Sequence, residues 1–248
     1  GRVKREFLPA LTRWQRRRRN PFRFFTEASI DLAGHEELMA AMVAAGFHEV
    51  FVGIDSPSPE ALAETGKHQN LKDDLENSVL RIQKAGLEVM GGFIVGFDSD
   101  GEDIFDRQLA FIQHNAIPQA MVGLLTALPG TLLWERLAAE GRLCASATGN
   151  NTHVFQTNFR PRMGTQTLQD GYRRLLTELY GGNMRSYFDR CNALLDRLGR
   201  RQLASRVAVW RDTGILLRAL LRQPFTAYGW QYLKFVGHNL LRRSQRFA

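Results

Sequence analysis

The fold is decided by one segment, Gly91-Gly92-Phe93-Ile94-Val95-Gly96-Phe97-Asp98-Ser99-Asp100, in which an apolar run leads through a glycine to two carboxylates. The run from Leu87 to Val95 predicts a buried strand, because glycine and branched apolar residues leave no polar face for water. We therefore expect helices to cover both faces of this strand. Parallel α/β proteins bind cofactors at the carboxyl ends of such strands, so residues 96–100 are expected to lie beside a ligand.

The same unit recurs along the first half of the chain. An apolar extended run, a polar loop and an amphipathic helix follow one another four times between residues 22 and 140. Gly46 and Gly86 stand where two helices should end, and Ser58 and Thr131 stand where two should begin. This alternation predicts a parallel sheet with right-handed crossovers. The predicted strands are 22–29, 49–55, 87–97 and 119–127, and the predicted helices are 36–45, 71–85, 103–115 and 132–140.

Helical patterns flank this region on both sides. Residues 2–19 predict one more helix, and the arginines at its end suit the negative end of the helix dipole without needing a phosphate partner. Residues 145–164 are polar and predict a long irregular connection. From residue 165 onward the period is helical, with breaks at Gly181, near Gly199 and at Pro224. We predict two domains, residues 1–144 and a basic helical extension over residues 145–248.

The charge is divided unevenly along the chain. The net charge is +8 overall, with 33 Lys and Arg against 25 Asp and Glu. Residues 1–144 contain 16 Lys and Arg against 20 Asp and Glu, a balance of −4, whereas residues 145–248 contain 17 against 5, a balance of +12. A basic second half suits an anionic partner such as a membrane surface or nucleic acid, and a solvated helical face accounts for it equally well.

Targeting and metal-binding signals are absent from the sequence. The longest apolar candidate, residues 120–134, is interrupted by Thr126 and by Pro129–Gly130, so we predict no transmembrane helix. Residue 1 is Gly and no signal peptide follows, so we expect a piece of a longer cytoplasmic chain. Cys144 and Cys191 are too far apart for a zinc motif and are expected to be buried and inert, and no two histidines have metal-ligand spacing on a helix. The sequence also has no Walker loop, no HExxH motif and no nucleophile elbow.

Small and acidic residues cluster where the predicted strands end. These positions are Glu27 and Ser29, Asp55 and Ser56, Gly96 with Asp98 and Asp100, and Thr126. Parallel strands bring them to one rim, where carboxylates and hydroxyls suit a ligand such as an amino acid or a ribose. Glu27 is the most informative, because a carboxylate in an apolar strand is costly without a partner. Ser58 and Asp100 are better explained as helix caps.

Four segments resemble consecutive strands of one enzyme family. They are Phe25-Thr26-Glu27-Ala28-Ser29, Val52-Gly53-Ile54-Asp55-Ser56-Pro57-Ser58, Gly92-Phe93-Ile94-Val95-Gly96-Phe97-Asp98 and Leu124-Leu125-Thr126-Ala127-Leu128-Pro129-Gly130-Thr131. In this order they look like strands three to six of a radical S-adenosylmethionine (SAM) enzyme. Within that family the chain is most similar to the cobalamin-binding branch with an uncharacterised helical extension, which is related to hopanoid-modifying enzymes. The resemblance implies a partial (β/α) barrel in residues 1–144, followed by an all-helical appendage.

The resemblance also assigns contacts with SAM. The residues concerned are Glu27, Ser29, Asp55, Ser56, Gly92, Ile94, Gly96, Asp98 and Thr126. By this resemblance Glu27 holds the methionine amino group, Asp55 lies near the ribose, and the strand that starts at Gly92 lines the adenine. Ser99 stands where the family motif has Glu, with an aspartate on either side of it.

The cluster-binding loop of the family is absent. Its CxxxCxxC motif supplies three thiolates to a 4Fe-4S cluster, and Cys144 and Cys191 cannot replace them. The resemblance therefore implies a C-terminal fragment that is inactive alone, with the cluster, its electron donor and any cobalamin domain outside it. It also implies that residues 22–29 form an edge strand and that part of the inner face of the sheet is bare.

Two functions from different classes follow. In the first, the cluster cleaves SAM reductively and starts radical chemistry, with cobalamin-dependent methylation of a small-molecule or lipid-like substrate implied by kinship. In the second, residues 204–248 form a basic, aromatic-rich module on the inner surface of an anionic membrane, or on RNA, without catalysis of their own. Helices packed on a barrel with a basic outer side explain the same pattern. No RNA-binding fold is recognisable, so nucleic acid is the least favoured partner.

Overall fold

Four parallel strands form one sheet. They are β1 (Phe24–Ala28), β2 (Phe47–Asp55), β3 (Glu88–Val95) and β4 (Ala120–Leu124), and they lie side by side in the order β1-β2-β3-β4. Each pairing is parallel, so the connections return the chain to the same end of the sheet. This computed structural model describes residues 1–64, 74–146, 155–198 and 206–242. The predicted α/β class with a parallel sheet is confirmed.

Helices precede, connect and follow the strands. Over the described residues the α-helices are α1 (Leu8–Arg17), α2 (Glu36–Ala45), α3 (Pro59–Glu64), α4 (Leu75–Lys84), α5 (Ile104–His114), α6 (Leu132–Ala139), α7 (Thr165–Tyr180), α8 (Arg185–Arg197), α9 (Arg206–Arg222) and α10 (Gly229–Arg242). Shorter helical turns span Val3–Phe7, Ile30–Gly34 and Gln223–Phe225. The predicted breaks at Gly181 and Pro224 are confirmed, whereas the break near Gly199 and residues 71–73 of a predicted helix lie outside the described residues.

The predicted helix ends have the expected local chemistry. Gly46 ends α2 with a left-handed backbone, φ 99°, a conformation that costs glycine least because it has no Cβ. Thr131 Oγ1 accepts a hydrogen bond from the amide of Trp134 at 3.2 Å where α6 begins. Ser58 Oγ accepts one from the amide of Ala61 at 3.5 Å where α3 begins. These three signals in the sequence therefore predicted helix boundaries correctly.

The two faces of the sheet differ in their cover. On the first, termed the helix-covered face, strand residues such as Val52, Val89 and Val95 are fully buried. On the second, termed the open face, Phe25 is 70% and Met121 is 48% exposed. The open face is formed by Phe25, Glu27, Glu49, Phe51, Gly53, Glu88, Met90, Gly92, Ile94, Met121 and Gly123. Within the described part of the chain β1 pairs with β2 alone, so it is an edge strand as the resemblance implied.

The expectation that helices cover both faces of β3 is wrong. Buried and half-buried residues alternate along this strand, as in a sheet with one covered face. Its glycines instead make room for aromatic rings. A Cβ at Gly91 would lie 2.5 Å from the ring of Phe93, and one at Gly92 would lie 2.7 Å from the ring of Phe51. The glycine-rich composition thus reflects ring packing on the sheet rather than a second layer of helices.

Helix α7 completes the cover of the helix-covered face. Its stripe of Leu168, Leu175 and Leu179 is buried in the same core as the strands. The hydroxyl of Tyr172 donates a hydrogen bond to the carbonyl of Val122 in β4 at 2.9 Å. Residues 165–180 therefore share the core of the sheet although they follow residue 144. The proposed division between residues 144 and 145 stays a prediction.

The last helices pack on one another through aromatic rings. The ring of Phe188 in α8 lies 5.3 Å from that of Phe235 and 6.3 Å from that of Tyr232, both in α10. Asn239 Nδ2 donates a hydrogen bond to Asn192 Oδ1 at 2.8 Å. These contacts fix one side of α10 against α8. None of the described helices combines the length and apolar content needed to cross a bilayer.

Candidate functional site

The open face carries a shallow cavity, largely open to solvent, at the carboxyl end of β1. It has a volume of about 390 Å³ and is lined by Glu27, Ala28, Ser29, Phe51 and Gly53. Glu27 and Ser29 are exposed, so the cost expected for a carboxylate in an apolar strand does not arise. The reason is that alternate residues of this edge strand face away from the core. The structure thus brings two predicted site residues together beside a glycine of the next strand.

Strand β2 ends in a bulged turn. Its pairing with β3 shifts just before Asp55, which lies opposite Phe93, a residue of the helix-covered face. Asp55 has a φ of 63°, a conformation that L-residues rarely adopt. Ser56 is fully buried, and its Oγ accepts a hydrogen bond at 3.1 Å from the amide two residues further on. Asp55 and Ser56 therefore shape the turn, and the register does not place Asp55 in the row of Glu27.

The predicted contacts on β3 have different surroundings. The ring of Phe51 lies over Gly92. Ile94 is half-buried and pairs with Gly123, where a Cβ would meet no atom within 4 Å. Gly96 is buried with a φ of 105°, and a Cβ there would lie 3.1 Å from Leu168 of α7. The open space on this face is therefore beside Gly123 rather than beside Gly92.

Asp100 closes the turn that follows β3. Its Oδ2 accepts hydrogen bonds from the amides of Gly96 at 2.8 Å and Phe97 at 2.9 Å. Its Oδ1 is buried and has no hydrogen-bond partner among the described residues. Burial raises the pKa of Asp100 to about 6, against the effect of the two amides. The expected capping role is therefore corrected: Asp100 caps the exit of a strand, and Asp103 precedes helix α5.

Asp98 lies at the centre of an arginine cluster formed by Arg136, Arg142 and Arg162. Arg142 donates two hydrogen bonds to its carboxylate, at 2.6 and 2.8 Å, and Arg136 donates one at 2.6 Å. Arg162 Nε lies 3.5 Å from Asp98 Oδ2. The hydrogen bonds from Arg142 and then Arg136 hold the pKa of Asp98 below its ordinary range, although burial opposes them. Both carboxylate oxygens thus accept hydrogen bonds from arginines, so Asp98 connects the segment after β3 to α6 and to the residues that follow it.

Glu64 is a site residue that the sequence did not reveal. Its carboxylate, at the end of α3, accepts hydrogen bonds from the amide of Ser99 at 3.2 Å and from its hydroxyl at 3.1 Å. It also accepts one from Arg136 Nη2 at 2.9 Å. Ser99, which stands where the family that the sequence resembles has glutamate, is therefore contacted by a carboxylate from elsewhere in the chain. No pattern predicts this contact, because 35 residues separate the two positions.

Two buried amide side chains also hold the rim and were missed. Gln108 Nε2 donates hydrogen bonds to the carbonyls of Ile94 at 2.8 Å and Asp55 at 3.5 Å, which ties the ends of β2 and β3 together. Asn158 accepts from the amide of Ala127 at 2.9 Å and donates to its carbonyl at 2.7 Å. Thr126, the last predicted contact, is half-buried and its hydroxyl donates to the carbonyl two residues before it at 3.3 Å.

The cysteines do not form a site. Cys144 is exposed, which corrects the expectation that both thiols are buried. Cys191 is half-buried, and desolvation raises its pKa to about 11, so it remains a thiol near neutral pH. Across the described ranges no three His, Cys, Asp or Glu side chains come together as metal ligands would.

Comparison with known proteins adds a family match for the C-terminal part. Residues 131–248 match the family model described as a domain of unknown function, DUF4070. The match begins where α6 begins, so it includes residues from both predicted domains. The matched range therefore includes all three residues of the arginine cluster, Arg136, Arg142 and Arg162.

Several proteins of known name are similar to parts of this chain. The chain is 41% identical over 192 residues to an uncharacterised methyltransferase of Synechocystis, covering 77% of this chain and 35% of that protein. It is 37% identical over 138 residues to the hopanoid C-2 methylase of Rhodopseudomonas palustris, covering 56% of this chain and 26% of that protein. It is 29% identical over 133 residues to the bacteriochlorophyllide d C-12(1)-methyltransferase of Chlorobaculum tepidum, covering 53% of this chain and 28% of that protein. The chain thus spans about a third of these relatives or less. Their names and the DUF4070 match fit the branch of radical SAM enzymes that the sequence resembles.

Proposed function

We propose that this chain provides SAM-binding surface for a radical SAM methyltransferase. The observation that carries the proposal is the cavity on the open face, where Glu27 of β1 and Ser29, the residue after β1, lie with Gly53 of β2 at the carboxyl ends of parallel strands. Ligands of parallel α/β proteins bind at that end of the sheet. Relatives named methyltransferases support the same reaction class.

The residues at the cavity fit the functional groups of SAM. The exposed carboxylate of Glu27 can accept hydrogen bonds from an ammonium group, and the hydroxyl of Ser29 can donate or accept. Gly53 and Gly123 lack side chains on the same face, so a flat ring can approach the backbone there. SAM, when bound, supplies the methyl group or the 5′-deoxyadenosyl group. The part proposed for this chain is to bind and orient it.

The cluster does not fit this chain. A 4Fe-4S cluster needs three thiolates to leave one iron open, and the sequence has two cysteines. Cys144 lies after α6 and Cys191 within α8, where its raised pKa disfavours the thiolate. We propose that the cluster, its electron donor and cobalamin are held by protein other than residues 1–248.

The arginine cluster is proposed to keep the rim rigid while ligand binds. Asp98, Arg142 and Arg136 connect the end of β3 to α6 and to the segment after it. Rigid support lowers the ordering cost of binding. For the substrate we propose a small, lipid-like molecule, because one relative is named for methylation of a hopanoid.

Substitution of Glu27 tests the proposed function directly. Binding of S-adenosylhomocysteine to the chain is measured by isothermal titration calorimetry. A hydrogen bond to a charged group contributes about 1.5–3 kcal/mol, so Glu27→Gln should weaken binding roughly 10- to 100-fold. Glu49→Gln is the matched control, because Glu49 lies on the same face of the neighbouring strand, opposite Phe25. Equal losses in both variants, or no binding by the unaltered chain, would overturn the proposal.

A further inference from the structure

The C-terminal helices present large apolar side chains to solvent. Phe225 is 89%, Trp230 68% and Leu221 64% exposed. Leu217, Leu233 and Leu240 are also exposed. Single exposed apolar residues are common on proteins, whereas this number of them within residues 217–240, beside exposed Ile215 and Leu220, indicates an interaction surface. We name Leu217, Leu221, Phe225, Trp230, Leu233 and Leu240 the C-terminal apolar face.

On α10 the exposed apolar side chains lie on a helix whose other side is closely packed. The opposite side of α10 packs on α8 through Tyr232 and Phe235, and Asn239 is buried there with a hydrogen bond to Asn192. Residues 230, 233 and 240 recur at helical spacing on the outer side. Helix α10 therefore has two apolar stripes, and only the inner one is used within the described chain.

Cations border the apolar face at regular positions. On α9, Arg218 and Arg222 each follow an exposed leucine, with the same four-residue spacing as Leu217 and Leu221. On α10 the ammonium of Lys234 lies 5.2 Å from the centre of the Trp230 ring. Residues 206–242 contain six Lys and Arg and one acid, Asp212. Lysine and arginine can extend their charged groups to phosphates while their stems lie on apolar surface.

This combination selects among partners. A second copy of the chain would bring cations of the same face together, which is repulsive. Single-stranded nucleic acid would engage the cations and could stack on Phe225 and Trp230, but it would leave Leu217, Leu221, Leu233 and Leu240 in water. An anionic bilayer satisfies both features, because its phosphates face the cations and its acyl region accepts the apolar side chains. We propose that α9 and α10 dock on the surface of an anionic membrane through the C-terminal apolar face.

Vesicle sedimentation of the 248-residue chain tests the docking. Phosphatidylglycerol-containing vesicles should bind it, phosphatidylcholine vesicles should bind it far less, and binding should fall between about 0.1 and about 0.5 M salt. Two arginines near an anionic surface together account for a partition change of about thirtyfold, so Arg218→Gln/Arg222→Gln should lower partition by that order. Phe225→Ser/Trp230→Ser should lower it comparably. All four side chains are exposed, so unchanged circular dichroism is expected to confirm folding.

Matched controls distinguish binding through this face from nonspecific effects of positive charge or of exposed apolar side chains elsewhere on the chain. Arg16→Gln/Arg17→Gln removes two exposed cations from α1, and Leu132→Ser removes a leucine that is 85% exposed on α6. Both controls should change partition less than twofold. Equal losses in controls and test variants, or binding that ignores lipid charge, would overturn the proposal. The proposal would also be overturned if the unaltered chain bound no vesicles and instead formed a dimer that Phe225→Ser converted to monomers. None of these residues lines the SAM cavity, so the two proposals can fail separately.

Discussion

Replacement of Asp98 by asparagine should destabilise the rim of the sheet. The side chain of Asp98 is 8% exposed and pairs with all three guanidinium groups of the arginine cluster, in which Glu64 and Glu140 are further acidic partners. Asparagine keeps the shape but removes the charge, and it turns one acceptor into a donor that faces Arg142 or Arg136. The variant therefore removes the one anion that the three guanidinium groups share, and leaves Arg136 paired with Glu64 and Arg142 with Glu140.

The size of the loss follows from the exposure of the partners. Breaking a fully buried ion pair costs about 3–5 kcal/mol. Arg142 is 16% exposed, but Arg136 is 37% and Arg162 62% exposed, so water solvates part of the released charge. We therefore expect Asp98→Asn to lower the free energy of unfolding by about 2–3 kcal/mol. At this chain length each kcal/mol shifts the melting temperature by about 2–4 °C, which gives about 4–12 °C.

The pH dependence of that loss has a defined sign. Hydrogen bonds from the arginines hold the pKa of Asp98 in the folded chain below its ordinary value. An unfolded aspartate titrates at a pKa of about 3.9. Because the folded pKa is lower, the contribution of Asp98 is complete above about pH 5 and is lost as pH falls through the folded pKa. Urea denaturation followed by circular dichroism, at several pH values between 3 and 8, measures it.

The control for this experiment is Asp103→Asn. Asp103 is 68% exposed and lies 3.7 Å from Arg107, so its loss should cost less than about 0.5 kcal/mol. Similar effects of the two substitutions at pH 7 would refute the role given to Asp98. A difference between the unaltered chain and Asp98→Asn that grows as pH falls below 5 would refute the electrostatic account.

Two further substitutions test the turn after β3. Burial raises the pKa of Asp100 to about 6, so its contribution to stability is present below the unfolded value near 3.9 and is lost as pH rises through 6. The side chain in Asp100→Asn cannot ionise. The free energy of unfolding of this variant, relative to the unaltered chain, should therefore rise by about 1–3 kcal/mol between pH 4 and 7 in urea titrations. A difference between the two proteins that does not change with pH would contradict this. Gly96→Ala should cost about 1–3 kcal/mol by the same assay, because φ is 105° and the new Cβ would lie 3.1 Å from Leu168. Gly123→Ala meets open space and should be near neutral, so equal losses at the two glycines would count against the conformational explanation.

Local patterns predicted the sheet because they are set by nearby residues. A glycine such as Gly46 and a cap such as Thr131 act within one helical turn, so four strands and the helices between them could be placed from sequence. The cover of the sheet could not be placed in this way. Met90 and Ile94 are as apolar as the buried valines, yet they lie half-exposed on the open face. Composition alone does not tell which face a second layer covers.

The surroundings of the candidate site depend on long-range contacts. Glu27 and Ser29 were predicted from strand ends, and the structure places both at one cavity, where their proposed roles stay predictions. Asp98 was predicted as a ligand contact on the same basis. Its partners Arg136 and Arg142 lie 38 and 44 residues further along the chain, and no periodicity relates them. Ion pairs of this kind depend on the fold and are visible only once it is formed.

The structure divides the basic surplus of the second half into two parts with different consequences. Arg162 lies against Asp98, and Arg174 pairs with Asp106 of α5 at 2.6 Å, so these cations are matched by acids of the first half. Among the ion pairs of the described residues none involves Arg218, Arg222 or Lys234. Unmatched charge there coincides with two highly exposed aromatic side chains, Phe225 at 89% and Trp230 at 68%. A cation needed only for solubility would not have to lie beside the exposed ring of Trp230, as Lys234 does, whereas docking on an anionic bilayer requires cations and apolar side chains together.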